Sequence, residues 1–429
     1  MLSQAATATT GVVDTAVMAL TGSKTALAAV AVASVVFSFL YWGFGFLRMS
    51  TTALTAQALG RDDVSESRAV LARALCIGSA LGLSILACGP LVLGLISVLF
   101  SVDGQVATEV QAYFNARIWG APALLTTYGI TGWLLGTGRT RQLLAFQVVA
   151  NATNAVLDIW FVFSLGLGAE GIGAGTAISE WISVGFGLYL VRDGLGGLED
   201  VWKRDRLIEL VSANRDIMIR TLSLLFAFGW FVRSGTQIST AVTAGNEVLL
   251  QFITVAAFIL DGYAFIAEKE AGEAYGAGDK GRLRRAIRVT SELALASGVI
   301  ITSAYFFLGR AAIGAFVTNG DACQVAFAYL PYCAMVPVIG VAAYQLDGVF
   351  LGTTQGAALR NAGILSACLY VVTDIVLAEW LGNRGVWTAL LLLYVYRALC
   401  LGAYLPRLFS ALEALHPRSA TCPTDGEHG

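Results

Sequence analysis

The sequence predicts an all-α integral membrane protein of twelve transmembrane helices, arranged as two six-helix bundles related by a parallel pseudo-two-fold repeat. Three observations predict it. Of the 429 residues, 57% are hydrophobic and only 13% are charged, with a mean hydropathy of +0.71, whereas a soluble domain carries about 25% charge. Apolar stretches long enough to cross the roughly 30 Å hydrocarbon core recur along the whole chain. A shift of 216 residues then lays motifs of the first half over motifs of the second.

The first stretch, 1–20 (MLSQAATATTGVVDTAVMAL), lacks the basic start and the cleavage site of a signal peptide and is read as the first helix itself. Five more follow at 27–58, 68–100, 107–136, 142–165 and 171–191, separated by short Gly, Asp, Arg or Asn-containing breaks. These make an amino-terminal six-helix bundle over 1–191. The segment 192–207 (RDGLGGLEDVWKRDRL) is the longest connection and is read as a linker. Stretches at 208–242, 246–275, 283–309, 322–353, 357–381 and 385–411 form the carboxy-terminal bundle, 208–411. The polar, Pro-containing end, 412–429, is expected to be a disordered tail.

Charge placement says more than its sum. Twenty-seven Lys plus Arg against 29 Asp plus Glu give a net charge of −2, which excludes a nucleic-acid partner that needs a basic surface. Connections after even-numbered stretches hold Arg61, Arg68, Arg139, Arg141, Arg192, Lys203, Arg204, Arg206, Lys280, Arg282, Arg284, Arg285, Arg360, Arg407 and Arg418. Those after odd-numbered stretches hold Lys24, Arg310 and Arg384. Basic residues stay on the cytoplasmic side, so both termini and the linker are expected there. The seven cysteines form no CxxC pair, and His416 and His428 are the sole histidines, so neither a disulfide framework nor a zinc site is expected. Without an intramembrane histidine or an Asp-rich metal motif, an enzyme is not expected.

The repeat sets the architecture. GWLLGTG from Gly132 faces GVFLGTT from Gly348, and the same shift takes Gly60 to Gly276, Asp63 to Asp279, Arg68 to Arg284, Tyr128 to Tyr344 and Asp158 to Asp374. After a four-residue deletion, GAGTA from Gly173 meets GVWTA from Gly385. Six helices separate each residue from its counterpart, an even number, so both halves enter the bilayer the same way round and the relating axis runs along the membrane normal. Two such bundles enclose a cleft, and rocking one against the other gives alternating access. No Gly-x-x-x-x-Gly-Lys-Ser/Thr motif is present to drive transport with a nucleotide, which points to a secondary transporter.

Several segments have a familiar composition and order: GVVDTAVMAL, FGFLRMSTTALTAQALGRDD, NAVLDIWFVFSLGLGAEGIGAGTAISEW, LDGYAFIAEKEAGEAYGAGD and YQLDGVFLGT. Together they resemble the multidrug and toxic compound extrusion (MATE) family, specifically its DinF branch, over nearly the whole chain. The resemblance implies a V-shaped, six-plus-six helix exporter of organic cations and amphipathic compounds, driven by inward flow of protons or sodium ions. A bacterial inner-membrane location, a monomeric state and the absence of any cofactor other than the coupling ion go with it. It also implies a cation site in the first bundle made of an Asp in the first helix, an Asn and an Asp four apart in the fifth, and a Thr in the sixth. Asp14, Asn154, Asp158 and Thr176 match those places, and they are the expected proton site or sodium ligands. Some relatives place a Tyr one turn before the first Asp; Thr10 stands there in this chain.

The residues support that site on their own terms. A carboxylate at membrane depth protonates, pairs or lines water. Asp14 maps onto Trp230 and so exists in the first half alone, whereas Asp158 recurs as Asp374. Asn154 stands one helical turn before Asp158, on the same face. Two neighbouring carboxylates in a low-dielectric cavity cannot both stay charged, so a proton or a captured sodium ion relieves them and lets the first helix repack. The second half adds Asp261, Glu268 and Asp347 as further candidates, with Asp261 and Glu268 two turns apart on one helix face. Arg233 and Arg48 are secondary candidates as well, each read otherwise as the ion-pair partner of a carboxylate, and Glu180 is expected to hydrogen-bond between helices. The rival reading, a flippase for a lipid-linked precursor, calls for a cationic cavity, and these acids argue the other way.

Overall fold

The computed structural model describes residues 14, 17, 18, 20, 23–100, 104–196, 204–316 and 320–415. All regular structure among them is helical, as it must be where no water is at hand to satisfy a backbone polar group. The first bundle comprises α1 (Lys24–Gly43), α2 (Phe46–Gly60), α3 (Val64–Ala87), α4 (Gly89–Phe100), α5 (Gly104–Arg117), α6 (Ala121–Gly136), α7 (Thr140–Ile159) and α8 (Ala169–Leu190). The second comprises α9 (Arg204–Ile238), α10 (Thr240–Gly276), α11 (Lys280–Phe316), α12 (Gly320–Gly352), α13 (Gly356–Leu381), α14 (Asn383–Gly402) and α15 (Leu405–Leu415).

Side chains mark where helices begin. Ser23 Oγ accepts from the Ala26 amide at 3.3 Å, Asp63 Oδ1 from that of Glu66 at 2.9 Å, and Ser239 Oγ from that of Val242 at 3.1 Å, each an N-cap. Two expected single stretches are broken. That over 27–58 divides at Phe44 and Gly45 into α1 and α2, and that over 68–100 divides at Cys88 into α3 and α4, just before Pro90. At the far end, α15 runs four residues into the segment expected to be disordered. Leu408 and Leu412, one turn apart, are buried in a cluster with Leu283 and Ile287 of α11, which gives that last turn a reason to stay helical. Most of the expected first helix and the middle of the linker lie outside the described residues. The six described cysteines are all free.

Nine segments among the described residues are long and apolar enough to cross a membrane. The stretches 104–136 and 169–190 are not among them, and these are the ones that hold Arg117 and Glu180. Each bundle has its own core, one around Phe37, Tyr113 and Ile172 and the other around Phe231, Trp387 and Tyr394. Large apolar side chains such as Phe307 (84% exposed) and Trp380 (83%) face outwards, where lipid is the solvent.

The repeat is visible contact by contact. A Cβ on Gly132 or Gly136 of α6 would strike the carbonyl oxygens of Arg48 and Thr52 on α2. Shifted by 216, a Cβ on Gly348 or Gly352 of α12 would strike those of Ala264 and Glu268 on α10. The same small-residue crossing is therefore built twice. Between the bundles, a Cβ on Gly60 would collide with the Glu273 carbonyl and one on Gly276 with the Gln57 carbonyl. Gln57 and Glu273 are themselves repeat counterparts, so this contact is its own mirror image. The pseudo-two-fold axis passes through the crossing of α2 and α10.

Candidate functional site

Asp14, Asn154, Asp158 and Thr176 come together inside the first bundle, and all four are buried, Asp14 at 4% exposure and Asp158 at 0%. Asn154 and Asp158 project from one face of α7, and Thr176 meets them from α8. The approach of these two helices is set by Gly175, where a Cβ would collide with Asp158 Oδ1. Thr176 Oγ1 donates to the Ile172 carbonyl at 2.9 Å and accepts from Asn154 Nδ2 at 3.2 Å, so the amide is turned with its oxygen free. The carboxyl groups of Asp14 and Asp158 lie within hydrogen-bonding reach of each other.

The carboxyls of that cluster are poorly supplied with donors. Asn154 Nδ2 stands near both but bonds Thr176, and among the described residues Asp14 Oδ1, both oxygens of Asp158 and Asn154 Oδ1 have no hydrogen-bond partner. Buried polar atoms are ordinarily satisfied, and buried charges are paired. Two abutting carboxylates with so few donors meet that rule when a cation sits among them, either a proton shared between the acids or a hard metal ion with oxygen ligands. Among the described residues no group of three or more His, Cys, Asp and Glu could hold a metal, so an ion bound here draws on amide and hydroxyl oxygens as well.

Beside the pair stands a residue that sequence reasoning missed. Arg117, at the end of α5, donates two hydrogen bonds to Glu180 on α8, at 2.8 and 2.6 Å, and its guanidinium lies 5.4 and 5.3 Å from the rings of Phe37 and Tyr41. Its charge reaches both Asp14 and Asp158. Glu180 is thus the interhelical partner it was expected to be. The signal for Arg117 was available: it is an arginine inside the apolar stretch 107–136.

The second bundle shows what the repeat does with the same position. Asp374, the counterpart of Asp158, accepts from Trp230 Nε1 at 2.8 Å and from Ser234 Oγ at 2.6 Å. Trp230 occupies the place of Asp14. An acid meets an acid in one bundle, and an indole N–H meets an acid in the other.

Of the remaining candidates, Asp261, Glu268, Asp347 and Arg48 lie within one network of charges, and Arg233 stands apart from it. Asp347 on α12 accepts from both Arg220 on α9 and Arg397 on α14, and these two arginines, inside the apolar stretches 208–242 and 385–411, were also missed. Glu268 is fully buried with neither oxygen hydrogen-bonded. Arg48 approaches it across the bundles at 3.8 Å while lying 4.1 Å over the ring of Phe265. Asp261 is half-buried near Arg48, Arg220 and Arg397. Arg233 does not find the acid expected for it. It is exposed and stacks 4.6 Å over Trp230 one turn earlier, because the acid on that side, Asp374, is already taken by the indole and Ser234.

Comparison with known proteins bears on the family and the fold. A family model described as MatE matches residues 1–160. DNA damage-inducible protein F of Escherichia coli (strain K12) is 34% identical, over 92% of this chain and 87% of its own. Multidrug and toxin extrusion protein 1 of Homo sapiens is 24% identical, over 85% of this chain and 65% of its own. A solved structure described as MATE in the bent conformation superposes with a TM-score of 0.88 at 18% identity, covering 98% of this chain and 95% of that one.

Proposed function

The chain belongs to the multidrug and toxic compound extrusion family, a family of membrane transporters rather than enzymes, and on that premise we propose that it exports organic cations and amphipathic compounds as a proton- or sodium-coupled antiporter. The single observation that supports the coupling is the Asp14–Asp158 pair, buried and with Asp14 Oδ1 and both Asp158 oxygens outside any hydrogen bond among the described residues. In this reading the protein is a multi-pass resident of the bacterial inner membrane, with the Lys- and Arg-rich connections and both termini in the cytoplasm. The bundles span 1–191 and 208–411, joined by 192–207.

The cycle follows from electrostatics. With the cleft open to the outside, a proton or sodium ion enters among Asp14, Asn154, Asp158 and Thr176 and removes the repulsion between the two carboxylates. The segment bearing Asp14 then moves towards α7, the cleft wall changes shape, and bound substrate is released. Opening towards the cytoplasm lets the ion leave, and the recharged pair favours the wider cleft that takes up new substrate. Asn154 and Thr176 hold the second carboxylate in register, while the Arg117–Glu180 pair adds no net charge. An ion can drive the change only through its different affinity for the two states, and a pair of facing acids supplies that difference.

The test is transport by the full chain in proteoliposomes loaded with a fluorescent cationic dye, with a pH gradient and a sodium gradient imposed separately. Wild-type protein is expected to move dye under one of the two gradients. Asp14→Asn is expected to abolish gradient-driven movement while remaining folded and inserted. Wild-type rates in that variant would remove the pair from the mechanism.

A further inference from the structure

The crossing of α2 and α10 closes one end of the cleft, and its chemistry differs from that of the bundle interiors. Backbone rests directly on backbone: Gly60 against the Glu273 carbonyl, Gly276 against Gln57, and Gly272 against the Ala53 carbonyl, with the Ala56 methyl beside it. Among the hydrogen bonds between described residues, those that cross from one bundle to the other come from a single side chain. Gln57, buried at 4% exposure, donates from Nε2 to the Gly352 carbonyl at 2.8 Å and to Thr354 Oγ1 at 3.1 Å.

Thr354 is the residue out of place. It follows α12 in the left-handed region, with φ of 52°, a conformation in which a β-branched residue is strained. Its repeat counterpart after α6 is Gly138, with φ of 71°, the residue type that the turn calls for. The equivalent turns after α2 and α10 place Asp62 (φ 57°) and Gly278 (φ 69°) there, and Asp is tolerated in that region. Of these four related turns, only the one that receives Gln57 bears a β-branched residue. Strain of this kind persists where the surroundings over-determine it, and it concentrates at clamps and switches. The hydroxyl that Thr354 supplies, and that a glycine would not, is one of the two acceptors of Gln57 between the bundles, beside the Gly352 carbonyl.

We propose that Gln57 and Thr354 are the bolt of the gate at this end of the cleft, a neutral hydrogen bond seated on the Gly60–Gly276 crossing that holds the gate shut and must break each time it opens. This rests on the alternating-access reading above. It assigns the two residues a role in state preference, separate from ion binding, and places them as positioning residues that touch neither the ion nor the substrate.

Hydrogen exchange followed by mass spectrometry on the full chain in lipid nanodiscs tests it, reading segments 52–60, 268–278 and 349–356. Gln57→Ala and Thr354→Gly are both expected to lower protection in these three segments about tenfold, leaving the bundle interiors as in wild type. Thr354→Gly separates a bolt from mere packing. Because glycine relieves the strained turn, its melting temperature is expected to match or exceed that of wild type while the gate loosens. Gly60→Ala, whose methyl group would collide with the Glu273 carbonyl, is expected to unprotect the same segments by a different route. Wild-type protection in Gln57→Ala and Thr354→Gly would overturn the proposal. So would a lowered melting temperature in Thr354→Gly with exchange rising throughout the molecule. Dye transport by wild-type protein is scored separately: its failure would count against the exporter reading, whereas unaltered gate protection in the variants beside active wild type would count against the bolt alone.

Discussion

At the scale of the residue, the informative comparison is between one position and its repeat. Asp158 and Asp374 share a place in two copies of one fold, yet among the described residues two donors bond Asp374 Oδ2, leaving its Oδ1 without a partner, and none bonds Asp158. A carboxylate held by an indole N–H and a hydroxyl has donors for its charge and less use for a cation. One facing a second acid needs one. Asp158→Asn is therefore expected to lose gradient-driven dye efflux as Asp14→Asn does, and unaltered transport would reduce Asp158 to a packing residue. Trp230→Phe is expected to behave in the opposite way. It leaves Ser234 to hold Asp374, costs about 1 kcal/mol or somewhat more in stability, and transports normally. A Trp230→Phe protein that is stable but uncoupled would show that the second bundle takes part in ion binding. The acids themselves were legible as residues at membrane depth, and their grouping came from resemblance. That Arg233 would find no carboxylate was not legible, because it depended on which donors reach Asp374 first.

At the scale of the element, glycine decides which helices touch. The α2–α6 and α10–α12 crossings leave no room for a Cβ at Gly132, Gly136, Gly348 or Gly352. Gly348→Val is expected to destabilise the second bundle by about 1–3 kcal/mol or more, since backbone lies where the side chain must go; a melting temperature equal to wild type would show that the crossing gives way at little cost. Gly175 differs in kind, because the atom in the way is Asp158 Oδ1. Gly175→Ala is expected to retain the fold and to weaken ion coupling by pushing that carboxylate off Asp14, which a comparison of dye efflux with melting temperature would detect. Helix existence could be read from hydropathy, whereas the break at Gly45 lies within a continuous apolar run; the break at Cys88 also lies in one, with Gly89 and Pro90 as its mark. A chain in lipid stays apolar on either side of a bend, so the pattern that marks a helix boundary in water is absent.

At the scale of the whole molecule, duplication supplies two bundles, and their few differences supply the function. The shared parts are the small-residue crossings, the capping Asp at position 63 with its counterpart Asp279, and the left-handed turns at the helix ends. The unshared parts are Asp14 against Trp230, Arg117 against Cys333, and Thr354 against Gly138. Because the gate is closed by backbone packing, one amide and the largely buried Arg48–Glu268 pair, its protection against hydrogen exchange is expected to change by less than about twofold when salt rises from about 50 mM to about 500 mM, as exposed ion pairs alone are strongly screened. A large loosening with salt would point to a charged latch instead. By itself the sequence determined that the chain spans a membrane, that it is a parallel duplication, and which buried acids lack a counterpart, because hydropathy and repeat spacing are properties of one dimension. Only the tertiary structure decided that Asp14 and Asp158 face each other, that Arg117 is spoken for by Glu180, and that the repeat axis runs through Gly60 and Gly276. Each of those depends on which helices lie side by side, and an apolar face in lipid does not encode its neighbour.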